Sequence, residues 1–182
     1  AIWLDKNKTS SYELYQFFLN VEDCMVIDYL KKYTFLSKEE IDKLAESTEK
    51  EPEKRLAHKT LAKEIVTFLH GEEAYEEALN ITNSLFSGNI KNLSSKEIMQ
   101  AFKGLEAYEI AEAKNIIDLL VESKICSSKR EAREFVQNGS IYINGEKNNN
   151  LETIIDKNIA IDNKYVIIRR GKKKYFMIAF ND

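Results

Sequence analysis

From about Thr9 to Phe86 the apolar positions recur with helical spacing. Tyr12, Tyr15, Phe18 and Leu19 fall on one face, and Val26, Tyr29, Leu30 and Tyr33 continue the pattern. Ser37-Lys38-Glu39-Glu40 has the spacing of a capping box, in which serine and glutamate side chains satisfy each other's backbone amides. Ile41, Leu44 and Ala45 supply the apolar face behind it. The next helix is expected to carry Pro52 in its first turn, where a missing amide hydrogen costs nothing. Its stripe is Leu56, Ala57, Thr60, Leu61, Ile65, Phe68 and Leu69, and Gly71 should end it as a left-handed cap. A further helix covers roughly Glu72 to Phe86, with Ala74, Ala78, Leu85 and Phe86 inward. Residues 1–8 read as a short extended piece. Five short helices with short connections predict a small bundle.

Ser87-Gly88-Asn89 interrupts the period, and Ser94-Ser95-Lys96-Glu97 is a second capping box opening a short helix. Residues 103–112 lack firm periodicity and read as a tether. Lys114 to Ser123 reads as one helix, with Ile116, Ile117, Leu120 and Val121 buried. Ser128-Lys129-Arg130-Glu131 is a third capping box, and Asn138-Gly139 is a stop signal for the helix it opens. Ile141-Tyr142-Ile143 has strand character, and Asn144-Gly145 is the favoured two-residue hairpin turn. Two β-rich runs follow, Tyr165–Ile168 and Tyr175–Phe180, joined by Arg169-Arg170-Gly171-Lys172-Lys173-Lys174. The fold class is therefore mainly α plus a small α+β part: a helical bundle, then a small domain with two helices and a short sheet.

Composition fits this picture. Hydrophobic residues make up 43% and charged residues 31%, so a packed core is available. One proline and six glycines leave little room for long irregular segments. Charge is unevenly placed. Residues 1–112 hold 14 Lys+Arg and 21 Asp+Glu, whereas residues 113–182 hold 13 and 9, so a net −7 adjoins a net +4. An acidic part joined to a basic part predicts two modules, the second with a polyanionic partner. Cys24 and Cys126 form no ligand or disulfide pattern. No apolar run approaches the roughly 18 residues of a membrane span, and the start has no signal-peptide character. A cytoplasmic protein without a membrane partner is expected.

Catalytic chemistry finds little support. His58 and His70, the only histidines, fit no HExxH pair and read as structural. Glu72, Glu73, Glu76 and Glu77 lie in the first turns of a helix, where the dipole favours carboxylates. No GxGxxG or GxxxxGK[ST] loop cradles a phosphate. The basic motifs say more. Lys129, Arg130 and Arg133 cluster on the first turns of one helix, whose amides add to their reach for phosphates. Arg169, Arg170, Lys172, Lys173 and Lys174 form a second basic group in the same seventy residues. Two such surfaces favour RNA over a merely solvated helix face.

The run from Ser127 to Gly145 resembles the signature of the small RNA-binding domain named after a ribosomal small-subunit protein. That signature has an S-x-x-x-A-R helix, a glycine stop, a short strand and an Asn-Gly turn. Other segments choose among hosts of this domain. Ala1-Ile2-Trp3-Leu4-Asp5, Thr9 to Phe18, Tyr33 to Ser37, Leu85 to Gly88 and Val166 to Tyr175 resemble bacterial-type tyrosyl-tRNA synthetases, so the likeness covers essentially the whole chain.

The resemblance implies a division of labour. Residues 1–8 would end a catalytic domain lying before residue 1, residues 9–88 would form the helical anticodon-binding domain, residues 89–112 a linker with a short helix, and residues 113–182 the small RNA-binding domain. The parent would be a class I tyrosine–tRNA ligase using ATP and tyrosine, and a homodimer through its catalytic domain. This chain would hold tRNA(Tyr) by its anticodon arm and long variable arm, without cofactors, metal or catalytic residues of its own, and as a monomer. Lys129, Arg130, Arg133 and Asn138 match the RNA-facing positions of the signature, and Arg169, Arg170 and Lys172 to Lys174 the basic tail motif. Exposed Tyr or Phe side chains of the helical module are candidates for stacking on anticodon bases, although Tyr12, Tyr15, Phe18, Tyr29 and Tyr33 sit at core spacing. The rival readings are a stand-alone RNA-binding module and the RNA-binding part of an RNA-modifying enzyme.

Overall fold

The computed structural model describes residues 2–181 and divides into two compact units, residues 1–82 and 83–182. Ala1 and Asp182, the outer ends of the expected modules, lie outside the described residues.

The first unit is built from α1 (Ser11–Leu19), α2 (Asp23–Tyr33), α3 (Lys38–Lys50), α4 (Leu56–His70) and most of α5 (Glu72–Ser87). Helix α4 is the centre, packed against α1, α2 and α3. Its buried residues are Ala57, His58, Leu61, Ala62, Ile65 and Val66. The buried face is thus rotated from the expected stripe, and Leu56 and Phe68 are 47% and 67% exposed. A helix that meets neighbours on several sides needs a wider apolar face than one i, i+3, i+4 stripe supplies. Leu14, Tyr15, Val26, Leu30, Ile41 and Leu44 complete the core, while Phe86, expected inward, is 95% exposed.

The capping boxes at Ser37/Glu40 and Ser94/Glu97 form as expected, and a further one joins Ser10 and Glu13. Pro52 belongs to a separate 3₁₀ turn, Pro52–Lys54, and Arg55 at φ 49° breaks it from α4. Gly71 has φ 93° and ψ 166°, an extended conformation open to glycine and not the left-handed cap predicted. Of the extended piece expected over residues 1–8, the described residues 2–8 instead hold a turn, in which Asp5 carbonyl accepts from the amides of Lys8 and Thr9.

The second unit holds α6 (Ser95–Ala101), β1 (Ala107–Ile110), β2 (Lys114–Asn115), α7 (Ile116–Glu122), α8 (Lys129–Gln137), β3 (Ile141–Ile143), β4 (Glu146–Asn148), β5 (Ile154–Ile155), β6 (Tyr165–Arg170) and β7 (Lys174–Phe180). Five strands form one sheet in the order β1-β7-β6-β3-β4, and β2 pairs with β5. The stretch 103–112 is thus no tether: residues 107–110 pair in parallel with β7, Ala107 against Met177 and Ile110 against Phe180. Four residues are too few to show a strand period against the surrounding loops. Lys114 and Asn115 are likewise strand, and Asn115 caps α7 by accepting from the Ile117 amide.

Alternation separates the faces of the sheet. Ile141, Val166, Ile168, Ile178 and Phe180 pack on Ile116, Leu119, Leu120, Ala132 and Val136 of α7 and α8. The other face carries Ile167 and Met177, both buried, and Tyr175, whose ring lies 5.3 Å from that of Phe102. Ile90, Leu93 and Ile98 are buried in this same unit, so the expected linker of residues 89–112 is part of its folded body.

Candidate nucleic-acid interface

Helix α8 presents the first basic group. Ala132 and Val136 are buried, whereas Lys129, Arg130, Arg133 and Asn138 are exposed. The cap is shifted from the expected box. Ser128 Oγ accepts from the Glu131 amide at 3.2 Å, but the Glu131 carboxylate reaches Ser127, taking its amide at 2.5 Å and its hydroxyl at 2.7 Å. These bonds hold the Glu131 carboxyl below its ordinary range. Arg130 and Arg133 have no ion pair among the described residues. Lys129 does: its ammonium lies 2.7 Å from Asp118 Oδ1 on α7, and this bond holds the Asp118 carboxyl below its usual value.

The helix ends at Asn138, whose amide donates to Glu134 carbonyl, and Gly139 turns the chain at φ +66°. A Cβ at Gly139 would overlap the side chain of Lys147, so the glycine lets Lys147 lie over the helix end. Lys147 is a basic residue absent from the candidates drawn from sequence. Its signal is the Asn-Gly turn, which fixes Lys147 opposite Tyr142.

The second basic group is brought to that same end of α8. Gly171 amide donates to Ser140 carbonyl at 2.8 Å, which seats the β6–β7 turn beside the residues that close α8. Eight residues of helix separate Arg130 from Asn138, about 12 Å at 1.5 Å per residue. Lys172, Lys173 and Lys174 are exposed on or beside the turn.

Arg169 and Arg170 are not loop residues as expected; both belong to β6, and the pleat sends them to opposite faces. Arg170 turns toward the helices. It donates to Ile125 carbonyl, and its guanidinium lies 5.5 Å from the Phe135 ring and 5.7 Å from that of Phe176. That bond ties it to the segment joining α7 to α8. Arg169 turns the other way, 3.8 Å from the centre of the Tyr142 ring, and donates to Lys172 carbonyl at 3.4 Å. The structure thus groups Arg130, Arg133, Asn138, Lys147 and Lys172 to Lys174 as outward groups, with Lys129 compensated by Asp118 and Arg170 engaged within the fold.

The histidines are structural. His58 is buried; its Nε2 lies 3.1 Å from Val21 carbonyl and 3.2 Å from Asp23 Oδ1. Among the described residues its Nδ1 has no hydrogen-bond partner, which favours the neutral ring protonated on Nε2. Burial, and then Arg55, hold its pKa below the ordinary histidine value. His70 links Ser11 Oγ and Leu4 carbonyl, each at 2.8 Å.

A groove of about 470 Å³ in the first unit is lined by Leu4, Phe17, Tyr33, Ile65, Phe68 and neighbouring apolar residues, with no cation among them. That lining does not fit a triphosphate. Among the described residues no three His, Cys, Asp or Glu side chains could hold a metal ion, and no helix is long and apolar enough to cross a membrane.

Comparison with known proteins adds to the geometry. Residues 97–178 match the family described as tyrosine–tRNA ligase SYY-like C-terminal domain, and residues 1–87 match the class I tRNA synthetases (W and Y). The chain is 55% identical to the tyrosine–tRNA ligase of Lactobacillus johnsonii over 98% of its length, and 50% identical to tyrosine–tRNA ligase 1 of Bacillus subtilis over 99%. It spans 43% of the length of each of these relatives. A solved tyrosyl-tRNA synthetase C-terminal domain is 40% identical, covering 53% of this chain and 98% of that one, with a TM-score of 0.45. Half or more of its residues being shared with these relatives along nearly its whole length, and both halves matching their families, the chain belongs to the bacterial tyrosine–tRNA ligase family and corresponds to its C-terminal region.

Proposed function

We propose that this chain is the tRNA-holding part of a tyrosine–tRNA ligase and positions tRNA(Tyr) for tyrosylation elsewhere in the enzyme. The observation that carries the reading is the grouping of Arg130, Arg133, Asn138 and the Lys172 to Lys174 turn around one helix of the second unit. Cations spaced along such a surface suit a phosphate backbone, whose contacts set register and orientation without reading sequence. A-form RNA hides its major groove, so this unit reads backbone and shape, consistent with the anticodon stem and a long variable arm. Binding energy gained here is spent far from the reacting atoms, placing the tRNA 3′ end for acyl transfer.

ATP and tyrosine act in the portion of the relatives' length that this chain does not span. The homodimer contact of the parent belongs there too, and the chain by itself is a monomer. The first unit supplies the anticodon-side contacts. The protein works in the cytoplasm, where tRNA is charged.

The test is a binding titration of this chain against tRNA(Tyr), with a short-variable-arm tRNA as control, at two salt concentrations. Preference for tRNA(Tyr) is expected. Equal, salt-sensitive binding to both would leave a general RNA-binding module, and no binding would overturn the reading. Replacing Lys129, Arg130 and Arg133 together by Ala should weaken binding and flatten the log–log salt dependence by roughly two to three units.

A further inference from the structure

The face of the sheet turned away from α7 and α8 carries a row of side chains that no phosphate contact requires. Strand register places Lys147 opposite Tyr142, Tyr142 opposite Arg169, and Arg169 opposite Tyr175. Phe102, just beyond α6, continues the row with its ring 5.3 Å from that of Tyr175. Residues directly opposite across paired strands share a face, and strands lie about 4.8 Å apart, so the four strand residues span about 14 Å across the sheet, with Phe102 beyond Tyr175. Tyr142, Arg169, Tyr175 and Phe102 are all half-buried, with part of each surface open, and Lys147 is exposed. The guanidinium of Arg169 lies on the Tyr142 ring at 3.8 Å, and its bond to Lys172 carbonyl holds it from the side. A phosphate contact needs neither the aromatic backing nor the plane; an outward lysine suffices.

We propose that this row is a stacking ledge for an unpaired nucleobase of the bound RNA, with Arg169 as the stacking plane and Tyr142 as the residue that positions it. Charge complementarity selects the occupant. Lys147 ends the row, and the turn carrying exposed Lys172 and Lys173 is tied to Arg169 through the Lys172 carbonyl, so a group arriving there meets π-surface at its centre and cations for a phosphate at its edge. Unpaired nucleotides present that combination, because every base has a π-face and guanidinium planes and aromatic rings both accept one. Paired nucleotides do not, since their faces are already stacked. The ledge rests on the RNA-binding reading above and adds base contact to a unit otherwise read as gripping backbone alone.

The experiment measures affinity and salt slope of the chain for a tRNA(Tyr) transcript, then for versions carrying one abasic residue at each unpaired position in turn. Arg169→Lys keeps the charge and removes the plane. It should weaken binding to the intact transcript about tenfold, with the salt slope unchanged. Tyr142→Leu should do the same and Tyr142→Phe should bind like the parent chain. At one abasic position the parent chain should lose a similar factor, and there Arg169→Lys should cost nothing more. If Arg169→Lys binds the intact RNA as tightly as the parent, or costs as much at every abasic position as on the intact RNA, the ledge is refuted. Should Tyr142→Leu fail to fold, Arg169→Lys and the abasic series decide alone. Absence of any tRNA binding by the parent chain would instead overturn the RNA-binding reading itself, and the ledge with it.

Discussion

The Asn144-Gly145 turn closes the β3–β4 hairpin with φ 49° and φ 88°, the pair of positive angles that a two-residue type I′ turn requires. Gly145 carries a second constraint. A Cβ built on it would lie 1.6 Å from Gly88 carbonyl oxygen, where real contacts do not fall below 3.0 Å. Gly145→Ala must therefore move one backbone segment by at least 1.4 Å, the difference between those two distances. Left-handed backbone costs an alanine about 1–2 kcal/mol.

The shift adds to that cost, because the turn is tied on both sides. Asn144 Nδ2 donates to Ile159 carbonyl at 2.7 Å, and Asn144 Oδ1 accepts from the Ile167 amide at 2.9 Å. Losing or weakening these two buried bonds costs about 1 kcal/mol each, so Gly145→Ala should destabilise the second unit by about 3–4 kcal/mol. Gly171 is the control within the same sheet. Its φ is +66°, but a Cβ there would meet no atom within 4 Å. Gly171→Ala should thus cost only the backbone strain, about 1–2 kcal/mol. Urea unfolding, followed by amide exchange of β3, β4 and β6, measures both in the same unit. If the two variants lie within about 0.5 kcal/mol of each other, the close approach of the two glycines does not constrain the fold as argued.

The two neighbouring arginines should behave differently. Arg170→Ala should destabilise the second unit by about 1.5–3 kcal/mol, since a charged donor to Ile125 carbonyl is lost, whereas Arg169→Ala should leave its unfolding nearly unchanged and lower RNA affinity; thermal melts and titrations separate the two. Asp118→Asn should release Lys129 to the RNA, tightening binding about two- to fivefold at low salt and steepening the salt slope by up to about one unit; unchanged binding would place Lys129 outside the contact surface. His58 gives a pH dependence. Its pKa is depressed in the folded chain, so the unfolded chain takes up the proton first as pH falls. The stability concerned is complete above the unfolded value, about 6.5, and is lost as pH falls through the lower folded value. Melting of the first unit should thus weaken between pH 7 and 5, and His58→Gln should flatten that dependence.

Much of this molecule is written in short-range patterns. The α1 to α5 sequence of helices, the boxes at Ser37 and Ser94, the Asn138-Gly139 stop and the Asn144-Gly145 turn all rest on residues within a few positions of each other. Such features need only local backbone preferences and a repeating apolar face, so sequence alone determines them. It also determines which cations are available, from Lys129 to Lys174, and that they concentrate in the last seventy residues. Where each cation points is another matter. Tertiary structure decides it, because the answer depends on partners far along the chain. Pairing of Ala107 with Met177, 70 residues away, turns an apparent tether into β1. The pleat of β6 sends Arg170 to Ile125 and Arg169 to Tyr142, although the two are adjacent in sequence. Asp118 on α7 compensates Lys129 on α8, and Gly139 admits Lys147 beside the helix end. A local pattern records the preference of a few residues for helix, turn or strand; it does not record which other segment will lie against them, and that choice sorts the cations into outward groups and internal ties.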